Sequence, residues 1–226
     1  MHSPLGRFDL SGRTAFVTGG SRGIGRAIAI GLAQAGADVV LTYRERGEDA
    51  LSVCSDIVSS GRRAIALQME VTERASVVSA AQQADAALGP ISILVNNAGM
   101  NRPADFDQIN DDDWDLVLAT NLKGPFMCAQ ALLPSLAQSG NGSIVHISSV
   151  SGQFGGPRTA HYAASKAGLI SLAQVIARFG APLGVRSNTV AAGMVDTELA
   201  ASAISAPSVQ KALGAILLNR MGAAHV

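Results

Sequence analysis

Thr18-Gly19-Gly20-Ser21-Arg22-Gly23-Ile24-Gly25 stands between a short apolar run, Thr14 to Thr18, and a segment from Gly25 to Ala35 in which Ile24, Ile28 and Leu32 keep helical spacing. A strand that hands over to a helix through glycines has a definite physical use. Glycine reaches positive φ without steric cost, lets the backbone approach a ligand and packs the helix tightly on the strand. The helix N-terminus then offers unpaired N–H groups and partial positive charge to an anion such as a pyrophosphate. A tight βα turn with no ligand would also use glycine. The spacing, three residues between Gly19 and Gly23-Ile24-Gly25, departs from the GxGxxG fingerprint.

Outward from this turn, strand and helix patterns alternate. Asp38 to Tyr43 is β-branched, Asp49 to Ser60 is helix-like, Ala64 to Glu70 is a strand and Ala75 to Leu88 a helix. Ile91 to Val95 is wholly apolar, as a strand buried on both faces must be. Asn110 or Asp111 caps a helix running through Trp114 to Leu133. Ser143 to Ile147 is a strand, Ala160 to Phe179 a helix and Val185 to Val190 a strand. Such alternation predicts βαβ units with right-handed crossovers: an α/β fold, one doubly wound Rossmann domain over 1–226 with a parallel sheet and helices on both faces.

Composition excludes other classes. The 226 residues are 48% hydrophobic and 15% charged, too apolar for a disordered chain. Seventeen basic and seventeen acidic residues leave no field for a general nucleic-acid or anionic-membrane binder. Cys54 and Cys128 have no metal-ligand spacing, so no metal site is expected, and they read as buried thiols of a reducing compartment. Met1 to Leu10 lacks a signal-peptide apolar region, and no run of about 18 apolar residues occurs. The expectation is a cytoplasmic protein. Gly124 to Pro157 carries no Asp, Glu, Lys or Arg and reads as core and cleft lining.

Further motifs follow the glycine turn in order. Asn96-Asn97-Ala98-Gly99 closes the apolar strand, Asn121 lies in Thr120-Asn121-Leu122, and Ser149 stands thirteen residues before Tyr162 in Tyr162-Ala163-Ala164-Ser165-Lys166. With TGxxxGxG at its head, this set resembles the classical short-chain dehydrogenase/reductase family over almost the whole chain. The local texture, TGGSRGIG and HYAASKAG, is similar to 3-oxoacyl-carrier-protein reductases and related ketoreductases.

The residues themselves suit hydride chemistry. Tyr162 and Lys166, at i and i+4, share a helix face. An ammonium about 4 Å from the phenol would favour phenolate by roughly 4 kcal/mol at an effective dielectric of about 20, which would make Tyr162 a general acid in reduction and a base in oxidation. Ser149, at the carboxyl edge of a strand, can donate to a carbonyl oxygen. The resemblance implies that Lys166 also holds the nicotinamide ribose and that Asn121 orders a water behind it; from the residues alone, Asn121 could be a helix asparagine bonded to backbone. His161 neighbours Tyr162 rather than opposing Ser149, so it is read as cleft-lining or solvated.

The cofactor surface implied by the resemblance comprises Gly19, Ser21, Arg22, Gly23, Ile24, Gly25, Tyr43, Arg44, Glu70, Val71, Asn97, Ala98, Gly99, Tyr162, Lys166, Gly193, Val195 and Thr197. At the end of the second strand an NAD site would carry Asp or Glu, whereas Tyr43 and Arg44 stand here and Arg22 is a second cation. NADPH is therefore the expected cofactor, preferred at least about tenfold through charge-assisted bonds from Arg22 and Arg44 to a 2′-phosphate, with Glu45 able to neutralise Arg44 in part. The chain departs from the family at Ala192-Gly193, where Pro-Gly is usual, and at Glu70, where aspartate is. Asp111-Asp112-Asp113 reads as an exposed acidic first turn. Arg220-Met221-Gly222 resembles the segment before a further helix, a seventh strand and a Gly-rich tail, so the C-terminal strand is expected to be missing from this chain. Residues 194–215, rich in Ala and Ser, are expected to form a mobile substrate lid. The expected activity is NADPH-dependent reduction of a carbonyl, a 3-oxoacyl thioester or similar ketone that may be carrier-bound, by a dimer or tetramer. Alternatives are an alcohol, sugar or steroid dehydrogenase on the same residues, or a nucleotide-sensing protein.

Overall fold

The computed structural model of the chain describes residues 8–201, 207–218 and 220–224. Six parallel strands, β1 (Thr14–Val17), β2 (Asp38–Tyr43), β3 (Ala64–Gln68), β4 (Ile93–Asn96), β5 (Gly142–Ser149) and β6 (Val185–Ala192), form one sheet in the order β3-β2-β1-β4-β5-β6. The order reverses between β1 and β4, where Val17 lies opposite Leu41 on one side and Val95 on the other. A crevice opens there, at the carboxyl ends of the strands, because the chains leaving β1 and β4 turn to opposite faces.

Strand pleating explains why the inner strands lack a polar face. Ala15, Val17, Val39, Leu41, Ile93 and Val95 pack in one core with α1 (Gly23–Gln34) and α2 (Gly47–Ser59). Phe16, Val40 and Leu94, one residue out of phase, enter the opposite core under α3 (Arg74–Leu88), α5 (Gly124–Gln138) and α7 (Ala160–Gly180). The doubly wound parallel architecture expected from the alternation is thus present, and β6 is an edge strand among the described residues.

The helix expected through Trp114 to Leu133 is interrupted. Asn110 caps α4 (Asp111–Leu118), its Oδ1 accepting from Asp113 N at 2.8 Å. Residues Ala119–Lys123 then form a π-type turn, in which Gly124 N–H donates to Ala119 O, before α5 begins. Pro125 is the physical reason, since it has no N–H for the carbonyl of Asn121 and the ladder must widen there. The α4–α5 run is long and apolar enough by composition to cross a bilayer, yet Met127, Cys128, Leu132 and Leu136 are buried in the core.

After β5, α6 (Ser151–Phe154) is one turn long and was not foreseen. After β6, α8 (Glu198–Ala201) and α9 (Pro207–Gly214) occupy the stretch expected to be a lid; its residues 202–206 lie outside the described residues, as do 1–7 of the N-terminal stretch. The chain then returns to bridge Gly222 with Val195, with Asp196 N donating to Gly222 O at 2.8 Å.

Candidate active site

The glycine turn is locked by the motif that follows β4. Asn97 Nδ2 donates to Thr18 O at 2.9 Å and to Gly19 O at 3.1 Å, while the backbone N–H groups of Asn97 and Ala98 donate to Thr18 Oγ1 at 3.0 and 2.9 Å. Gly19 and Gly23 adopt φ of +65° and +53°, which a side chain would strain. At Gly25 a Cβ would overlap the Gly19 carbonyl and the Asn97 amide. No side chain caps α1, and Gly23, Ile24 and Gly25 line the cleft. Uncapped N–H groups above a glycine cradle fit the pyrophosphate of a dinucleotide.

Ser149, Tyr162 and Lys166 meet on the opposite wall. Ser149 ends β5, and its Oγ accepts from Ser151 N at 3.1 Å. Lys166 is buried, and its Nζ donates to Ile147 O at 2.7 Å, 5.6 Å from the Tyr162 ring centre. Asn121 does not line the cleft. The π-type turn places it behind Gly99, where its Oδ1 accepts from Met100 N and its Nδ2 donates to Met100 O, both at 2.9 Å, and to Ser165 Oγ at 3.1 Å. A Cβ on Gly99 would sit 3.2 Å from Asn121 Oδ1 and 3.4 Å from Lys166 Nζ, so that glycine keeps the passage between them open.

The expected pull of Lys166 on the phenol toward phenolate is not found. Burial pushes Tyr162 above its ordinary value, with only the Ser149 hydrogen bond pulling the other way. Burial likewise brings Lys166 down to about 8. Both shifts share one cause: each charge loses water, and the ammonium is engaged by a carbonyl rather than by the phenol oxygen. Tyr162 is therefore a protonated phenol at neutral pH, a donor. His161 is fully buried rather than solvated.

At the far end of the cleft the cations differ from expectation. Tyr43 and Arg44 line it, but Arg44 is paired with Glu45 at 2.8 Å. The guanidinium brought beside Arg22 belongs to Arg46, which precedes α2; both bond the Glu198 carboxylate. Sequence reasoning missed Arg46, although it lies two residues beyond Arg44 on the same exposed turn. Glu70 Oε1 accepts from Thr72 N and Thr72 Oγ1 at 3.0 and 2.9 Å, with Val71 beside it. Gly193, Val195 and Thr197 close the cleft from the segment after β6, where Thr197 Cγ2 would be 3.5 Å from a Cβ on Gly23. The whole cleft encloses about 720 Å³, and Gly19, Ser21, Arg22, Asn97, Ala98 and Gly99 all lie on its wall.

A glycine cradle at a sheet switch point, facing a serine, a phenol and a buried ammonium, defines a nicotinamide-dependent oxidoreductase of the doubly wound type. Residues 13–207 match the model of the short chain dehydrogenase family. The chain belongs to that family. It is 37% identical over 210 residues to the 3-oxoacyl-[acyl-carrier-protein] reductase FabG of Staphylococcus aureus, covering 93% of this chain and 85% of that protein. Among solved structures it is similar to a dehydrogenase/reductase from Sinorhizobium meliloti, with a TM-score of 0.91, 34% identity and coverage of 98% and 86% of the two chains. A short chain dehydrogenase from Burkholderia cenocepacia, solved in complex with NADP, gives a TM-score of 0.89 at 37% identity, covering 96% of this chain and 87% of that one.

Proposed function

We propose that this chain is an NADPH-dependent carbonyl reductase acting on a 3-oxoacyl thioester or a ketone of similar shape, free or carried on a protein. The observation that carries the reading is the meeting of Ser149, Tyr162 and Lys166 on one wall of a cleft whose other wall is the glycine cradle. The likeness to the Staphylococcus reductase supports the substrate class, and the NADP complex of the Burkholderia relative supports the cofactor.

Bound between the cradle and this wall, the nicotinamide would supply a hydride. The protein supplies the rest. Gly19, Ser21, Arg22, Gly23, Ile24 and Gly25 would hold the pyrophosphate end, Tyr43 and Arg44 the adenosine ribose, and Glu70 and Val71 the adenine. Asn97, Ala98, Gly99, Gly193, Val195 and Thr197 would hold the nicotinamide half. Ser149 donates to the substrate oxygen and Tyr162 delivers the proton as negative charge develops there. The phenol is protonated at neutral pH, as a proton donor must be. Lys166 holds the ribose hydroxyls, and Asn121 positions the route by which a proton returns to Tyr162.

Tyr162→Phe tests the reading: ketone reduction falls by at least about 10²-fold in kcat while NADPH binding, followed by fluorescence, stays nearly unchanged. Full activity in that variant on its best ketone removes the mechanism.

A further inference from the structure

We infer that Glu198 limits how tightly this cleft takes a cofactor bearing a 2′-phosphate, because it holds the two guanidiniums such a phosphate needs. The inference rests on the reading of the cofactor as NADPH. Arg22 in the glycine turn and Arg46 ahead of α2 both bond Glu198 Oε2, Arg46 at 2.9 Å, and Arg46 Nη1 lies 3.4 Å from Glu198 Oε1. Three segments far apart in sequence thus meet at one carboxylate, and all three residues line the cleft.

Two guanidiniums that converge on one carboxylate can converge on one phosphate, whose oxygens are acceptors of the same kind and whose charge is greater. The carboxylate and the phosphate cannot share the pair, since like charges at that separation repel. A 2′-phosphate must therefore displace Glu198, and its affinity is lowered by the worth of the pairs it breaks. The side chains of Arg22, Arg46 and Glu198 are 52%, 48% and 58% exposed, so water and salt screen both pairs. Two exposed pairs together are worth about fivefold in an equilibrium constant. Arg44 is itself paired with the adjacent Glu45.

Glu198→Gln keeps the size of an exposed side chain and removes the charge. Calorimetric titration with adenosine 2′,5′-bisphosphate and with adenosine 5′-monophosphate reads the effect without turnover. The variant is expected to bind the bisphosphate about fivefold more tightly and the monophosphate unchanged, with the gain vanishing when Arg46→Ala is added. An unchanged bisphosphate affinity overturns the inference. So does a weakened monophosphate affinity, which would mean that the carboxylate serves the ribose hydroxyls. Wild-type protein that binds both ligands equally, with no gain for the bisphosphate in Glu198→Gln, fails the cofactor reading itself and takes the inference with it. Wild-type preference for the bisphosphate with no effect of Glu198→Gln fails the inference alone.

Discussion

His146 takes no part in the proposed reaction, yet it fixes how the protein responds to acid. It sits fully buried in the middle of β5, between Asn96 of β4 and Ser187 of β6. Asn96 Nδ2 approaches its Nδ1 at 3.2 Å and also donates to Pro125 O at 3.3 Å, which fixes the amide as the donor and Nδ1 as the acceptor. Nε2–H is then the donor to Ser187 Oγ at 3.2 Å. A second proton on Nδ1 would point at an amide donor, in a fully buried site. Burial, aided by the charge on Lys166, brings the His146 pKa down from 6.5 to about 4. Between those values the unfolded chain takes up a proton that the folded chain refuses, so stability rises with pH across the window and is lost as pH falls through it. At about 1.4 kcal/mol per unit, the full loss is about 3 kcal/mol, a large share of a typical domain's stability. Urea unfolding at steps from pH 7 to pH 4.5 measures it, with His146→Gln as the reference, because that amide can keep both hydrogen bonds but cannot titrate. Wild type should lose about 2–3 kcal/mol more than the variant over this range. His161, also held below its ordinary value by burial, is common to both proteins and cancels. For Asp38, burial pushes the pKa up, but hydrogen bonds from Arg63 and the charges of Arg62 and Arg63 outweigh it and leave it below its ordinary value; its contribution is lost only at more acid pH. Parallel stability curves for wild type and His146→Gln would refute the reasoning.

Two more outcomes follow from packing. Gly25→Ala gains up to about 1 kcal/mol of helix propensity, but its Cβ overlaps a backbone carbonyl that cannot rotate away, so we expect a net loss of about 1–3 kcal/mol in thermal unfolding together with weakened NADPH binding. A groove lined by Leu118, Leu122, Phe126 and Leu172, with Phe126 40% exposed, is read as the face for a second copy of the chain. Phe126→Asp should then halve the mass seen by light scattering; a wild type that is monomeric across micromolar concentrations discards that reading.

Much of this protein is legible in one dimension because its signals are local. Apolar residues of both parities in Ile93 to Val95 already require a strand covered on both faces. The alternation with helices then requires parallel pairing. The glycine turn and the i, i+4 pair of Tyr162 and Lys166 are short-range patterns that backbone geometry turns directly into a cradle and a shared helix face. Tertiary structure decides what depends on distance between segments and on loss of water. The π-type turn at Asn121, the burial that pushes Tyr162 up and brings Lys166 down to about 8, and the choice of Arg46 over Arg44 as the companion of Arg22 are invisible to local pattern. Glu198, 176 residues beyond Arg22, meets it only because β6 returns the chain to the mouth of the cleft. Residue types and spacing fix which chemistry is available; desolvation and long-range contact fix each group's charge state and its partner, and both exist only once the chain has folded.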